Sequence, residues 1–242
     1  MKQLAFRLFL FTIMFTAIKS SCAKENDTML HYIVREPKIK QAHPPVIILL
    51  HGVGSNEKDL FSFAGQLPDK LLVVSARAPY AISEGSYAWH DVSFATGKPV
   101  CNKDQAEKCR NIVIHFIDQL KEKHPFDDKQ VYLCGFSQGA IMSYSVGLTR
   151  PDKVKGIAIM SGRLLEEVKP LIASKEKLKN LSVFISHGTN DNVLGIEYAR
   201  ESNVYLQQLG INTTYKEYPE GHTINNTMFV DLKKWLHEIS EK

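Results

Sequence analysis

The pattern Gly-Phe-Ser-Gln-Gly at residues 135–139 places a serine where it could act as a nucleophile. Residues 130–134 before it suit a short strand, and the apolar residues 140–146 after it suit the start of a helix. A Gly-x-Ser-x-Gly turn between a strand and a helix is sharp, so its flanking positions must be nearly free of side chain. The serine is exposed at the head of the helix, close to backbone N–H groups and the positive end of the helix dipole. The pattern predicts Ser137 as a nucleophile; the alternative is a plain glycine-rich turn.

A serine hydroxyl needs a base to take its proton and a third group to orient that base. In one common chain order the acid and the histidine follow the serine, which leaves His187, His222 and His237. His222 lies in a loop between a predicted strand at 213–218 and the last helix, a position that suits a base. His187 directly follows a strand and would need an acid before it. His237 lies in an amphipathic helix, where an exposed histidine is the ordinary interpretation.

The acid that orients the base is expected between the serine and His222 in the chain. Asp191 follows the strand that ends at Ser186 and meets this condition. Asp152 is the competitor, but it follows Arg-Pro at 150–151, which is typical of an ordinary helix end. The sequence therefore predicts that Ser137, Asp191 and His222 act together.

An acyl-transfer intermediate carries an oxyanion, which needs backbone donors. The N–H group of Gln138, directly after the nucleophile, is one expected donor. The loop His-Gly-Val-Gly-Ser at 51–55 follows an apolar run and is expected to supply the other, because its glycines let backbone approach a substrate. The alternative is a simple strand-to-helix turn. A phosphate-binding loop is disfavoured because Gly-Lys-Ser/Thr is absent.

Continuous apolar runs alternate with helical patterns along most of the chain. The runs lie at 46–50, 71–75, 131–134, 156–160 and 183–186, and the helical patterns at 60–64, 112–120, 196–209 and 228–239. Such runs suit strands buried on both faces, so the pattern predicts a single α/β domain over 24–242, with a mostly parallel sheet covered by helices on both faces. The connections 76–102 and 162–181 are long, but neither could form a large cap domain, so an open site is expected. The first of them follows a strand, where α/β sheets place ligands.

The first 23 residues have the pattern of an export signal. Lys2 and Arg7 precede an apolar run at 8–18 that is too short to span a bilayer comfortably. Small residues allow cleavage after Ala23, whereas the preceding Ser-Ser-Cys allows lipidation at Cys22; retention as a membrane anchor is the third alternative. We expect an exported protein that is periplasmic, secreted or lipid-anchored at the cell surface.

Charge and cysteine content exclude some classes of function. The 242 residues include 30 basic and 26 acidic side chains, and the lysines are scattered, so no nucleic-acid partner is expected. Cys134 is predicted to be buried. Cys101 and Cys109 flank a predicted helix start and are either free or bridged; a helix would separate them by about 12 Å, so a bridge requires Cys101 to fold back. No Cys/His grouping has metal-ligand spacing, and we expect neither metal nor organic cofactor.

Five sequence blocks occur in the order typical of the phospholipase/carboxylesterase family of α/β-hydrolases. They are Leu-His-Gly-Val-Gly at 50–54, Trp-His-Asp at 89–91, the serine pattern at 135–140, His-Gly-Thr-Asn-Asp at 187–191 and Gly-His at 221–222. The resemblance spans about residues 46–222. The family includes the acyl-protein thioesterases. It implies the α/β-hydrolase fold, with Ser137, Asp191 and His222 as a catalytic triad. It also implies Val53 and Gln138 N–H groups as the oxyanion hole, and Trp89 lining the acyl-side groove.

Together these features predict an exported serine carboxylesterase that hydrolyses small-molecule or lipid esters through an acyl-enzyme. A thioesterase, lysophospholipase or peptidase on the same scaffold is the first alternative, and a catalytically silent surface binding protein is the second. Two features differ from the cytosolic thioesterases, namely the export signal and the absence of a proline in residues 192–195. The acyl chain, the alcohol and the oligomeric state stay open.

Overall fold

A computed structural model describes residues 29–95 and 98–241 of the chain. These residues form, in chain order, β1 (Tyr32–Arg35), β2 (Val46–Leu50), α1 (Lys58–Phe61), β3 (Leu72–Ala76), β4 (Tyr80–Ser83), β5 (Ser86–Ala88), β6 (Val92–Ser93), β7 (Val100–Cys101), α2 (Lys103–Lys123), β8 (Val131–Phe136), α3 (Gln138–Thr149), β9 (Gly156–Met160), α4 (Lys175–Leu178), β10 (Ser182–Gly188), α5 (Ile196–Gln208), β11 (Thr213–Tyr218) and α6 (Asn226–Ser240). Short 3-10 helices lie at Ala64–Gln66 and Glu166–Leu171.

Seven strands form one sheet in the order β1-β3-β2-β8-β9-β10-β11. All neighbours are parallel except β1, which pairs antiparallel with β3 at the edge. The central strands β2, β3 and β9 are buried along their whole length, because helices cover both faces of the sheet. The predicted α/β-hydrolase architecture is confirmed.

The two faces of the sheet carry separate apolar cores. Successive side chains of a strand point to opposite faces, so Ile48 packs with α2, α3 and α5 while Ile47 packs with α1 and α6. This division explains why the strands read as unbroken apolar runs instead of alternating patterns.

The 76–102 connection is more regular than the sequence predicted. It contains two small antiparallel hairpins, β4–β5 and β6–β7. The first turns at Gly85, whose φ of 70° lies in the left-handed region that glycine adopts without strain. These strands have two to four residues, most of them exposed or half-buried, so they carry no clear periodicity.

The thiols of Cys101 and Cys109 are free in the structure. Cys101 ends β7, and Asn102 begins α2 by accepting a hydrogen bond from the backbone N–H of Gln105. Cys109 is buried within the helix, so the chain does not fold back to bring the two sulfur atoms together. Of the two alternatives open from the sequence, the structure has the unbridged one.

The predicted export signal at 1–23, including Cys22, lies outside the described residues. Within the part of the chain that the structure describes, no helix combines the length and apolar character needed to cross a bilayer.

The sheet reverses its strand order at β2. The chain passes from β2 to β3 on one side and later places β8 on the other side of β2. In open parallel sheets, ligands bind at such a point, outside the carboxyl ends of the strands. The loops that follow β2, β8, β10 and β11 meet at this edge. They carry the predicted site residues Val53, Ser137, Asp191 and His222.

Candidate active site

Ser137 lies on a sharp turn between β8 and α3. Its φ of 53° and ψ of −113° are strained for a residue with a side chain, and the flanking glycines permit the turn. A Cβ atom on Gly139 would lie 1.9 Å from the carbonyl oxygen of Leu50, and one on Gly135 would lie 2.2 Å from Gly139. The turn therefore presses the start of α3 against the ends of β2 and β8, and the serine projects above the sheet.

The structure brings Ser137, His222 and Asp191 into one chain of hydrogen-bond contacts. His222 Nε2 lies 2.9 Å from Ser137 Oγ, and His222 Nδ1 lies 2.7 Å from Asp191 Oδ2. Gly188 makes this possible, because a Cβ atom there would lie 2.3 Å from Glu220 O in the loop that carries the histidine. The His222 side chain is 16% exposed and the Asp191 side chain is fully buried.

The Asp191 carboxylate is held on both of its oxygens. Oδ1 accepts hydrogen bonds from the N–H groups of Val193 (2.9 Å) and Leu194 (2.8 Å), and Oδ2 faces His187 Nε2 at 3.2 Å as well as His222. Burial by itself raises the pKa of the Asp191 carboxyl. The hydrogen bonds from His187, His222 and the two backbone groups outweigh burial and hold that pKa well below its ordinary value. Asp191 is therefore ionised and fixed in orientation.

The competing residues from the sequence lie elsewhere. His187 is fully buried beside Asp191 and contacts the same carboxylate oxygen, Oδ2, as His222. His237 is exposed on α6, and Asp152 is exposed and paired with Arg150 at 2.7 Å. None of these competitors contacts the serine in the described part of the chain.

The loop after β2 aims the Val53 N–H group away from the interior. His51 Nε2 accepts a hydrogen bond from the Ala78 N–H group (3.0 Å), so its Nδ1 carries the proton and donates to Gly52 O at 2.7 Å. In a trans peptide the C=O and N–H groups point in opposite directions, so fixing Gly52 O inward turns the Val53 N–H outward. Burial lowers the pKa of His51, in spite of the hydrogen bond to Gly52, which keeps this arrangement neutral.

Gln138 contributes a second outward backbone donor and also fastens the neighbouring loop. It is the first residue of α3, so its N–H group has no partner within the helix. Its side-chain Oε1 accepts from the Trp89 N–H group (2.7 Å), and its Nε2 donates to His90 O (2.6 Å). The sequence did not indicate that the Gln138 side chain binds the loop at Trp89 and His90, or that His51 orients the loop after β2. Each role depends on a partner far away in the chain.

The structure corrects the expectation that Trp89 lines the acyl-side groove. Trp89 is completely buried, and its indole N–H donates to His51 O at 2.9 Å. A buried indole needs an acceptor for its N–H group, and the carbonyl beneath the loop after β2 provides one. Trp89 thus supports this loop from below, and the next residue, His90, lines the cavity instead.

A cavity of about 210 Å³ opens beside Ser137. Its wall is mostly apolar and includes Phe94, Phe136, Ile141 and Val193. Phe94 and Val193 are about half exposed at its rim, at 48% and 44%. Their role could not be predicted from isolated apolar residues in irregular segments.

The arrangement suits nucleophilic attack on a carbonyl carbon. A hydroxyl, a base and an ionised acid are aligned, two backbone N–H groups are available for an oxyanion, and an apolar cavity adjoins them. Among the residues that the structure describes, no group of three or more His, Cys, Asp or Glu side chains is placed to hold a metal ion.

Comparisons with known proteins find carboxylesterases and acyl-protein thioesterases. Residues 31–240 match the family described as Phospholipase/Carboxylesterase. A probable carboxylesterase, SOBER1-like, from Arabidopsis thaliana is 28% identical over 205 residues, covering 79% of this chain and 78% of that protein. Acyl-protein thioesterase 1 from Emericella nidulans is 25% identical over 226 residues, covering 84% and 93%.

Solved structures show the same fold. The Bacillus cereus carboxylesterase superposes with a TM-score of 0.75 at 23% identity, covering 89% of this chain and 99% of that one. The esterase PE8 gives a TM-score of 0.76 at 26% identity, covering 88% and 100%. The chain therefore belongs to the phospholipase/carboxylesterase family of α/β-hydrolases and is a serine-type hydrolase of carboxylic esters.

Proposed function

We propose that Ser137, His222 and Asp191 form a catalytic triad that hydrolyses carboxylic esters through an acyl-enzyme. The observation that carries the proposal is the hydrogen-bonded chain from Ser137 Oγ through the imidazole to the buried carboxylate. Apolar cavity walls beside the serine support an ester with an aliphatic part as substrate, either a small molecule or a lipid.

Acylation begins when Ser137 Oγ attacks the carbonyl carbon and His222 Nε2 takes the hydroxyl proton. The carbonyl electron pair moves onto its oxygen, and the N–H groups of Val53 and Gln138 stabilise that oxyanion. Asp191 stabilises the imidazolium that forms. The carbon–oxygen bond to the alcohol then breaks, and the alcohol leaves with the proton from His222.

Deacylation repeats these steps with water. His222 takes a proton from water as its oxygen attacks the acyl carbon, and the tetrahedral intermediate collapses to release the acid. The proton returns to Ser137 Oγ, so the triad ends in its starting state.

The direct test is hydrolysis of p-nitrophenyl esters of graded chain length by wild type and Ser137→Ala. The variant is expected to fold and to lose about 10³-fold or more in kcat, because the residues of a triad act as a unit. A stoichiometric burst of nitrophenol and an acyl adduct on Ser137, seen by mass spectrometry, would support the acyl-enzyme. Activity of the variant within tenfold of wild type would contradict the assignment. A matched thioester series distinguishes ester from thioester preference.

The proposed base gives activity a pH dependence. Activity should rise with pH, because the base must be neutral to accept the serine proton. His222→Ala should abolish both the rate and this profile, whereas His237→Ala, on the exposed face of α6, should retain both. The reverse result would show that the base has been wrongly assigned.

We also propose that the protein is exported by means of residues 1–23. Cell fractionation and mass analysis of the N-terminus test this, with Cys22→Ser as the control for lipidation. A chain that starts at residue 24 indicates ordinary cleavage, and a lipidated Cys22 indicates a surface anchor. Recovery of the intact chain in the cytosolic fraction would contradict export.

A further inference from the structure

An arginine side chain, Arg163, forms part of the mostly apolar cavity wall and also lines the neighbouring cleft. After β9 the chain turns at Ser161, whose φ of 50° lies in the left-handed region, and this turn leads Arg163 to the cavity. Arg163 Nη2 donates to Pro99 O at 2.8 Å and contacts Cys101 Sγ at 3.1 Å, and its guanidinium lies 5.3 Å from the Tyr198 ring centre. The cation is therefore held in one orientation.

Arg163 has no carboxylate within ion-pair distance among the described residues. The nearby Glu167 is bound to Lys103 at 2.6 Å, and the hydrogen bond from Lys103 is the main reason for its lowered pKa, to which the charge of Arg163 also contributes. Arg163 Nε is enclosed and has no hydrogen-bond partner within the described residues. A buried donor without a partner is costly, and so is a cation without a direct counterion in apolar surroundings, so each needs an explanation.

His90 also lines the cavity, and it too has a polar atom without a partner. It is 1% exposed; its Nδ1 lies 3.0 Å from Asp91 O and 3.2 Å from Gln138 Nε2, while its enclosed Nε2 has no partner in the described part of the chain. Burial lowers the pKa of His90, and the charge of Arg163 acts in the same direction, so the ring stays neutral beside the cation. Among the described residues that line the cavity, Arg163 alone carries a permanent charge.

His222 and Arg163 are anchored by different residues of the cavity lining. His222 contacts Ser137 and Asp191 and lies near Phe136 (4.9 Å between ring centres), whereas Arg163 is held by Pro99 and Cys101. In the proposed mechanism the leaving alcohol lies at the histidine that protonates it, which leaves the part of the cavity at Arg163 for the acyl group.

We infer that Arg163 forms a carboxylate-binding subsite for the far end of the acyl group. The preferred substrates are then monoesters of aliphatic dicarboxylic acids, whose methylenes contact the apolar wall and whose free carboxylate meets the guanidinium. A guanidinium binds a carboxylate through charge-assisted hydrogen bonds, and it would here replace the missing protein anion. This inference rests on the proposed esterase function for its substrate, but the binding site can be tested separately.

The kinetic test compares matched esters. The monoethyl esters of succinate, glutarate and adipate are set against the ethyl esters of monoacids of equal length, with ethyl 6-hydroxyhexanoate as a neutral polar ester. Wild type should favour the anionic member of at least one pair. Arg163→Gln should lose about tenfold or more in kcat/KM on the anionic ester relative to its neutral partner, as expected for a lost charged hydrogen bond. Arg163→Lys should recover part of that loss, and His90→Phe should lose less than Arg163→Gln.

Lys169→Gln is the matched control for charge. Lys169 lies in the neighbouring cleft, pairs with Glu166 at 2.7 Å and does not line the cavity. The Lys169→Gln variant should leave unchanged the ratio of kcat/KM on the anionic ester to kcat/KM on its neutral partner. An equal fall for Lys169→Gln and Arg163→Gln would show only a general electrostatic effect and overturn the subsite. Preference for the hydroxy ester over every anionic ester would also overturn it.

A binding measurement separates this inference from the esterase proposal. Calorimetry with Ser137→Ala, which should not turn over, is expected to detect monoethyl adipate more strongly than ethyl hexanoate. Adding Arg163→Gln should remove the difference, with circular dichroism confirming that each variant is folded. If wild type hydrolyses no ester but this difference is present, the esterase proposal fails and the subsite stands. If esters are hydrolysed but neither the kcat/KM ratio of anionic to neutral ester nor the binding of monoethyl adipate depends on Arg163, the subsite is wrong.

Discussion

Two buried carboxylates, Glu57 after β2 and Asp191 after β10, are held by different kinds of partner. The Glu57 side chain is 1% exposed and receives two hydrogen bonds from Arg77, at 2.6 and 2.7 Å. Asp191 is equally enclosed, but in the described residues it contacts imidazoles and backbone N–H groups and no lysine or arginine. One charge has a permanent cation beside it and the other does not.

The difference indicates what each carboxylate does. A carboxylate beside a permanent guanidinium gains little from any further positive charge. Glu57 is therefore expected to act structurally, by holding in place the start of α1, which follows the loop that carries Val53. In the proposed mechanism, Asp191 acquires a cation only when His222 takes the serine proton, so its charge would stabilise that state more than the resting state. Stabilisation that appears only during the reaction accelerates it.

Asp191→Asn is the strongest test of this comparison. Activity should fall about 10⁴-fold, because asparagine stabilises neither the correct tautomer nor the imidazolium. The unfolding midpoint should change less than in Glu57→Gln, since Asn can still accept from the Val193 and Leu194 N–H groups without burying a charge. Steady-state kinetics and thermal unfolding of the same preparations measure both effects. Equal loss of stability in the two variants would show that Glu57 and Asp191 do not differ in their structural roles.

Glu57→Gln should affect stability first and activity second. Removing one member of a buried pair leaves Arg77 uncompensated, and because that side chain is 30% exposed we expect a loss of about 3 kcal/mol in the free energy of unfolding. The kcat/KM should fall less than tenfold, through small shifts of the loop that carries Val53. Denaturant unfolding and ester hydrolysis test this, with Asp152→Asn as the control for an exposed pair. A loss of activity as large as in Asp191→Asn would assign Glu57 to the chemistry.

The sheet and the order of the candidate residues were predictable because they depend on local pattern. Unbroken apolar runs indicated buried parallel strands, and the glycine pattern indicated the turn at Ser137. The loop positions of Asp191 and His222 followed from their place after strands, and the structure brings these side chains together. Their catalytic roles stay predictions until they are tested.

The remaining features depend on contacts between distant residues. Trp89 lies in a loop beside the site, and its ring is buried beneath the loop after β2, where its indole N–H donates to His51 O. The roles of Gln138 and Arg163 likewise depend on partners dozens of residues away, at Trp89 and Pro99. No periodicity in the sequence reports such contacts.

His187→Leu tests how firmly Asp191 is held. His187 Nε2 lies 2.7 Å from Leu194 O and 3.2 Å from Asp191 Oδ2, so leucine removes a donor from both. We expect kcat/KM to fall about tenfold or more, the usual consequence of losing a hydrogen bond to a charged group. His187→Gln, whose amide nitrogen can occupy the place of Nε2, should retain most of the activity and the wild-type pH profile. If both variants lose activity equally, His187 acts through packing and not through its N–H group.

The smallest expected effect is a change with pH in the stability difference between wild type and Glu57→Gln. The hydrogen bond from Arg77 lowers the pKa of Glu57 from 4.5 to about 2, against the opposing effect of burial. A carboxyl whose pKa is lower in the folded than in the unfolded state stabilises the fold above its ordinary pKa and loses this contribution as the pH falls through the folded value. The difference between the two proteins should therefore be constant above about pH 5 and narrow as the pH falls from 4.5 toward 2. Asp191 shifts in the same direction but is present in both proteins, so its contribution cancels. Urea unfolding at several pH values measures the difference; one that stays constant down to pH 3, well inside the expected window, would show that the ion pair with Arg77 is not its source.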